Sequence, residues 1–191
     1  SERKNLQNHL VNNLNNTNIG ILLTMYSGMR IGEICALKWS DIDLQSGIIR
    51  ISKTVQRIND KIGNSKTKII VGSPKSRTSE REIPIPNFLV NILNERRQNE
   101  NNYILSGTHK LIEPRTMQNR FKSVLKKCGI RNVNFHLLRH TYATVCIENG
   151  FDAKTVSELL GHSNVNITLN RYVHSSLDTK KKYVEKLNFV A

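Results

Sequence analysis

The segment FHLLRHTYAT, residues 135–144, is the strongest structural signal in this chain. Its apolar positions recur at helical spacing and predict a helix over residues 137–149. His136 stands three positions before Arg139, and residues three apart lie on the same face of a helix. The segment therefore predicts a helix start that presents an imidazole and a guanidinium to one anionic group.

A second segment, LLGHSNVNIT, follows at residues 159–168. The preceding residues predict a helix over 153–160, with Asp152 as its N-cap and Gly161 as its stop. Asp accepts hydrogen bonds from the unpaired N–H groups of a first turn, and Gly adopts the left-handed conformation that ends many helices. We therefore expect His162 to lie in a tight turn directly after a helix.

The rest of the sequence predicts a mainly helical α+β domain with one small sheet. Helical periodicity predicts further helices before and after that sheet, over residues 6–14, 19–26, 30–37, 87–97, 116–128 and 177–187. Three β-rich runs predict a three-stranded antiparallel sheet, with residues 72–79 as a hairpin turn; the runs are residues 49–55, 68–71 and 81–85. We expect residues 1–191 to form one domain.

The charge of the chain is strongly positive. Its 191 residues include 29 Lys and Arg against 15 Asp and Glu, which gives a net charge of +14 and a pI near 10.0. Hydrophobic residues make up 38%, so a folded domain is expected rather than a disordered chain. Lys and Arg near phosphates release condensed counterions, so the excess favours a polyanionic partner. On charge alone, a basic protein without nucleic-acid function stays open.

The cysteines and the apolar runs do not suggest a secreted or membrane protein. Cys35, Cys128 and Cys146 are far apart and include no CxxC pair, so neither a zinc site nor a disulfide framework is predicted. The longest apolar run, residues 19–26, is far too short to span a bilayer, and no secretion signal is seen. We expect buried thiols in a cytoplasmic protein. The start at Ser1 suggests a fragment without its N-terminal partner domain.

Cationic and imidazole side chains from separate segments suit the cleavage of a phosphodiester. Arg30 and Arg139 can hold the non-bridging oxygens, because a guanidinium offers a rigid bidentate fork and stays charged. His136 and His162 can donate further hydrogen bonds to the same phosphate. Singly, each residue also has a structural explanation, such as an ion pair between Arg30 and Glu33.

Tyr172 and Lys75 can supply the nucleophile and the acid. Tyr172, ten residues after His162, has an unperturbed pKa of about 10, and nearby positive charges would favour its phenolate. Lys75, in the predicted hairpin, can protonate the departing oxygen as general acid. The alternatives are a half-buried tyrosine ring and a solvated surface lysine. The reaction requires no metal and no other cofactor.

Together these residues resemble, in order and approximate spacing over residues 28–172, the signature of the tyrosine recombinase (phage integrase) family. The matching positions are Arg30, Lys75, His136, Arg139, His162 and Tyr172. The flanking segments TMYSGMRIGEICALKWSDID, residues 24–43, and RYVH, residues 171–174, also resemble members from phages and integrative conjugative elements.

The resemblance implies a site-specific DNA recombinase that serves the integration and excision of a mobile element. It implies cleavage of one strand at a time through a 3′-phosphotyrosine, release of a 5′-hydroxyl, and rejoining to a partner strand. Residues 1–191 would be the catalytic domain, without the N-terminal core-binding domain of full-length relatives. Double-stranded DNA, a homotetramer and an accessory DNA-bending or directionality factor are the expected partners; no cofactor, metal or membrane is expected.

Three other functions stay open at this point. A type IB topoisomerase uses a similar site to relax supercoils, and an inactive DNA-binding relative would lack at least one of the six residues. A metal-dependent nuclease would need clustered carboxylates, and Asp41 and Asp43 fit a turn better. Glu33 either orients Arg30 or stabilises a helix N-terminus, and His140 is interpreted as structural.

Overall fold

The structure is a computed structural model that describes residues 2–60, 66–73, 77–172, 181, 184 and 185. The helices of the described part are α1 (Glu2–Asn12), α2 (Asn16–Ser27), α3 (Ile31–Ala36), α4 (Asn87–Asn94), α5 (Pro114–Lys127), α6 (His136–Glu148), α7 (Ala153–Leu160) and α8 (Val165–Tyr172). The strands are β1 (Ile42–Asp43), β2 (Ile48–Ile51), β3 (Thr54–Asn59), β4 (Thr67–Gly72) and β5 (Arg81–Pro84). The predicted mainly helical α+β fold is confirmed.

The helix ends that matter for the site follow local sequence signals. Helix α7 has the predicted bounds: Asp152 Oδ1 accepts the Thr155 N–H at 2.9 Å, and Gly161 follows with a φ of 64°. Helix α2 ends in the same way at Gly28, whose φ is also 64°. Only glycine adopts this left-handed conformation without strain. The helix predicted over residues 177–187 lies almost entirely outside the described residues.

The sheets differ from the prediction in their pairing. A three-stranded antiparallel sheet is present, but its strand order is β1-β2-β5, and β3 pairs with β4 in a separate two-stranded sheet. The expected hairpin between β4 and β5 is therefore wrong, and the run over residues 49–55 is two strands rather than one. The cause is burial: Ile83 on β5 pairs with Ile49 on β2, and both are completely buried, whereas Val71 on β4 is exposed.

The hydrophobic core has a large and a small part. The large cluster joins α2 to α3, α5 and the three-stranded sheet, with Leu22, Ile34 and Phe121 among its buried side chains. The small cluster lies between α6 and α7; it consists of Ala143, Cys146, Val156 and Leu160, with Tyr142, Ile147 and Tyr172 packed against it. No helix in the described ranges is long and apolar enough to cross a membrane. The candidate site lies beside the small cluster, against which Tyr172 packs.

The two aspartates considered as metal ligands make turns. Asp41 Oδ2 accepts the Lys38 N–H at 2.9 Å. Asp43 Oδ1 accepts the N–H groups of Gln45 at 2.9 Å and Ser46 at 3.2 Å. The interpretation of these residues as turn-forming is confirmed.

Candidate active site

A buried carboxylate holds two arginines together at the start of α3. Glu33 is 2% exposed. Its Oε1 accepts hydrogen bonds from Nη1 of Arg30 at 2.8 Å and from Nη1 of Arg81 at 3.1 Å. Its Oε2 accepts hydrogen bonds from the backbone N–H of Arg30 at 2.8 Å and from Nη2 of Arg81 at 2.9 Å. Burial alone would raise the pKa of Glu33, but the hydrogen bonds and charge of Arg81, with those of Arg30, bring it below its ordinary value. Glu33 thus both orients Arg30 and caps the helix.

Backbone carbonyls at the ends of α2 and α7 fix the guanidiniums. Arg139 donates from Nη1 to the Gly28 carbonyl at 2.9 Å and from Nη2 to the Leu160 carbonyl at 2.7 Å. Arg30 donates from Nη2 to the Gly161 carbonyl at 3.0 Å. Two glycine-terminated helices therefore present carbonyl groups to the same set of arginines. We call this set the arginine cradle; it consists of Arg30, Glu33, Arg81 and Arg139.

The cradle keeps positive charge and N–H groups for a ligand. Arg139 is 2% exposed, and burial, followed by the charge of Arg30, lowers its pKa to about 9, so it stays charged at pH 7. The two carbonyl bonds use two of the five N–H groups that a guanidinium carries. The side chain of Arg30 is 37% exposed and reaches solvent. Paired guanidiniums in this state form a site for an anion such as a phosphate.

Tyr172, at the end of α8, contacts a histidine of α6. Its hydroxyl lies 2.6 Å from His140 Nδ1. The ring of His140 meets the ring of His136 edge to face, with the ring centres 4.6 Å apart. Burial raises the pKa of Tyr172, and the charges of Arg139 and Arg171 act in the opposite direction. The tyrosine therefore adjoins the face of α6 that carries the predicted histidine and arginine.

His162 lies in the turn that follows α7. Its Nδ1 is 2.9 Å from the hydroxyl oxygen of Thr168, which is completely buried. Partial burial and the surrounding arginine charges lower the pKa of His162 to about 4. The pKa of His136 is also lowered to about 4, by partial burial, His140 and the arginines. Both imidazoles are therefore neutral at pH 7, and each carries one N–H.

The structure brings five of the six predicted residues together from separate elements. The charges of nearby arginines, Arg139 among them, act to lower the pKa values of His136, His162 and Tyr172, as expected for groups that share one site. The five residues are Arg30, His136, Arg139, His162 and Tyr172. Lys75 lies outside the described residues.

Comparison with known proteins identifies the family. The protein-family model of the phage integrase family matches residues 4–178, which is most of the chain. This chain belongs to the phage integrase family. The tyrosine recombinase XerC-like protein of Caldanaerobacter subterraneus subsp. tengcongensis is 36% identical over 186 residues, covering 87% of this chain and 48% of the relative. The chain spans about half the length of the curated relatives that it matches.

Solved structures of two integrases share the fold. The Tn1549 transposon integrase in complex with circular intermediate DNA matches with a TM-score of 0.75 and 21% identity, over 97% of this chain and 65% of that one. The catalytic domain of bacteriophage HP1 integrase matches with a TM-score of 0.63 and 19% identity, over 99% of this chain and 92% of that one. At these identities the likeness is evidence for the fold.

Two residues of the site, Arg81 and His140, were not predicted from the sequence. Arg81 joins Glu33 to the Leu159 carbonyl, to which its Nε donates at 2.6 Å. No local pattern indicates this contact, since its partners are distant in sequence. His140 was interpreted as structural, although its spacing of four residues from His136 was a usable signal for a shared helix face.

Proposed function

We propose that this protein is a site-specific DNA recombinase that cuts and rejoins DNA by transesterification through Tyr172, and that residues 1–191 form its catalytic domain. The observation that carries the proposal is the contact of the Tyr172 hydroxyl with α6, at 2.6 Å from Nδ1 of His140, one residue after Arg139 of the cradle that also holds Arg30. Membership of the phage integrase family and the net charge of +14 support it. DNA carries the repeated phosphates that such a basic surface attracts.

The reaction replaces one phosphodiester bond by another. The Tyr172 oxygen attacks phosphorus, the bond to the 5′ oxygen breaks, and a 3′-phosphotyrosine forms. The non-bridging oxygens gain negative charge in the transition state, and Arg30 and Arg139 stabilise that charge with hydrogen-bond donors that are already in place. Because the new phosphodiester keeps the bond energy, a 5′-hydroxyl can later displace the tyrosine without a nucleotide cofactor.

His136 and His162 act as additional donors to the same phosphate. Each is neutral and carries one N–H. When the Thr168 hydroxyl donates to Nδ1 of His162, the ring proton is on Nε2, where it can bond to a phosphate oxygen. Lys75 is the proposed general acid for the 5′ oxygen, because its place in the sequence fits the family signature.

The substrate proposed is double-stranded DNA at the ends or target site of a mobile element. The Tn1549 transposon integrase, which shares the fold, was solved with circular intermediate DNA. Strand exchange between two duplexes requires four cleavages, so we also propose a homotetramer on DNA, with an accessory DNA-bending or directionality factor.

A suicide-substrate experiment tests the function. Purified protein is incubated with a pool of nicked duplexes of randomised sequence, from which the short 5′-hydroxyl fragment diffuses away after cleavage. We expect a covalent protein–DNA adduct with wild type and none with Tyr172→Phe, while both bind DNA equally. An adduct with Tyr172→Phe contradicts the proposal. Sequence-independent relaxation of a supercoiled plasmid, without strand exchange between duplexes, would instead indicate a topoisomerase.

A substrate with sulfur in place of the bridging 5′ oxygen tests the role of Lys75 as general acid. A 5′-thiolate leaves without protonation, whereas a 5′-alkoxide needs it. We expect Lys75→Ala to cleave normal DNA very slowly and the sulfur-bridged substrate nearly as fast as wild type. Equal slowing of both substrates, relieved by more DNA, would show that Lys75 only binds the backbone.

A further inference from the structure

The proposed chemistry includes a proton transfer from Tyr172 to an acceptor that has not been named above. An attacking phenol must lose its proton, and a tyrosine with a pKa of about 10 holds it at pH 7. His140 Nδ1 lies 2.6 Å from the Tyr172 hydroxyl, which is within range of direct proton transfer. Within the described residues, the imidazole that hydrogen-bonds to this hydroxyl is that of His140.

The surroundings of the phenol act on its pKa in both directions. Burial raises the pKa of Tyr172, while the charges of Arg139 and Arg171 and a hydrogen bond from the Arg171 side chain act against that rise. The direction of the hydrogen bond between Tyr172 and His140 depends on which ring nitrogen of His140 carries the proton. The O–H of Tyr172 donates when His140 is neutral with its proton on Nε2, and proton acceptance at Nδ1 requires this tautomer.

His140 is in the required protonation state at pH 7. Partial burial lowers its pKa below the ordinary 6.5, and the charges of Arg171 on α8 and Arg139 on α6 lower it further. His136, one helical turn earlier, faces the ring edge to face and is itself neutral. The charges of Arg139 and Arg171 lower the pKa of the acceptor and also oppose the rise that burial causes in the pKa of the phenol.

The other histidines of the site have different contacts. His162 directs Nδ1 to the Thr168 hydroxyl, at 2.9 Å. His136 contacts the ring of His140, with its own ring at nearly a right angle. Their proposed task, donation to the phosphate, leaves the acceptor role to the third imidazole.

We propose that His140 is a catalytic residue that accepts the proton of Tyr172 during cleavage and returns it during rejoining. The inference rests on the proposed function. As the bond between the Tyr172 oxygen and phosphorus forms, the O–H electron pair stays on that oxygen and the proton moves to Nδ1, which makes His140 an imidazolium. The bond to the 5′ oxygen breaks, and that oxygen takes a proton from a separate acid. In rejoining, the 5′-hydroxyl attacks phosphorus and gives its proton back to that separate acid, the bond to Tyr172 breaks, and His140 returns its proton to the phenol.

Two variants separate a proton acceptor from a residue that only positions the tyrosine. His140→Gln keeps a neutral side chain that can accept a hydrogen bond but cannot take up a proton. We expect single-turnover cleavage to slow by about 10²-fold or more in His140→Gln, with DNA affinity and thermal unfolding unchanged. In His140→Ala, added imidazole should restore part of the rate. The matched control is His109→Ala, which alters an exposed histidine and should cleave at the wild-type rate.

A change at the nucleophile provides an independent readout. A fluorinated tyrosine at position 172 has a lower phenol pKa and depends less on a base, so it should shrink the penalty of His140→Gln. The wild-type rate should also fall as the pH drops through the pKa of His140, below 6.5, and this dependence should be absent in His140→Gln. A penalty that fluorination leaves unchanged would assign His140 to positioning alone and overturn the proposal.

The outcomes for the two proposals can be distinguished. A wild-type protein that forms no adduct, or an adduct that persists in Tyr172→Phe, contradicts the proposed function. An adduct that depends on Tyr172 but forms in His140→Gln within about threefold of the wild-type rate contradicts only the role of His140.

Discussion

The arginine cradle and helix α8 both contribute to the same site, but they are held in different ways. Most of the cradle is buried: Glu33 and Arg139 are each 2% exposed, Arg30 alone of its four residues reaches solvent, and its guanidiniums donate to backbone carbonyls at two helix ends. Helix α8 buries only Thr168 completely, and Leu169 on the same helix is 38% exposed. Tyr172 rests on the small cluster between α6 and α7.

The difference separates a part of the site that is firmly held from a part that is lightly attached. Charges that stabilise a transition state are most effective when they need no rearrangement, and the cradle meets that condition because its hydrogen bonds are already formed. A helix with few buried contacts has low local stability, and α8 has that character. We infer that substitutions at the buried positions of the cradle lower stability and activity together, whereas substitutions on α8 change activity with little loss of stability.

The largest effect is expected from Glu33→Gln. The substitution removes the carboxylate charge that faces Arg30 and Arg81, and the side chain of Arg81 is only 6% exposed. A buried charge that loses its partner destabilises a protein by on the order of 3 kcal/mol. Chemical denaturation measures this loss, and cleavage should fall with it.

The control for that prediction is an exposed ion pair. Glu82→Gln alters the pair with Arg50, whose side chains are 60% and 68% exposed, and should change stability by less than about 1 kcal/mol. The pKa of Glu33 in the folded protein lies below the ordinary 4.5. The stability that its charge contributes is therefore complete above pH 4.5 and is lost as the pH falls through the pKa of the folded state. The stability gap between wild type and Glu33→Gln should therefore be constant at neutral pH and close in acid. A gap that is independent of pH would mean that the carboxylate charge is not its source.

Substitutions of Arg30 and Arg139 should have similar effects on activity but different effects on stability. Arg30→Ala and Arg139→Ala should each slow single-turnover cleavage by about 10²–10³-fold, the scale for loss of one transition-state donor. Only Arg139→Ala should also lower the unfolding free energy strongly, because it leaves the buried carbonyls of Gly28 and Leu160 without their donor. Equal stability of the two variants would contradict the difference in burial.

Gly161→Ala tests the turn on which the cradle depends. A Cβ there would lie 3.0 Å from the Thr78 carbonyl oxygen and 3.1 Å from Arg81 Cδ. Gly129 has the same φ of 64° with nothing within 4 Å of a Cβ, so it is a matched control. Both alanines should cost about 1–2 kcal/mol through backbone strain. Only Gly161→Ala should also slow cleavage, by about tenfold, because it displaces Arg81. Equal cleavage rates in both variants would show that the turn does not position the cradle.

The smallest effect is expected on the α8 side, from Thr168→Val. Valine keeps the shape of the side chain but removes the hydrogen bond to Nδ1 of His162. One neutral hydrogen bond contributes about 0.5–1.5 kcal/mol, so we expect a rate loss of up to about tenfold and a small change in melting temperature. A stability loss as large as that of Glu33→Gln would mean that α8 is as firmly built as the cradle.

Local signals in the sequence were sufficient for most of the elements and for most residues of the site. The N-cap Asp152 and the stop Gly161 predicted α7 correctly, since capping depends on neighbours within a few residues. The set Arg30, His136, Arg139, His162 and Tyr172 was also predicted, and the structure places it in one neighbourhood. The pairing of the strands was not, because the β-rich runs do not specify their partners.

What the sequence by itself determined about this protein is the family, the residue types that suit phosphoryl transfer, and the helix ends that present them. Only the tertiary structure decided which carboxylate is buried between Arg30 and Arg81, and which imidazole reaches Tyr172. These contacts join residues far apart in the chain: Arg81 is 48 residues from Glu33, and Tyr172 is 32 residues from His140. The burial of a charge and the direction of a proton depend on the packing of several elements at once, and no local pattern of residues encodes that packing.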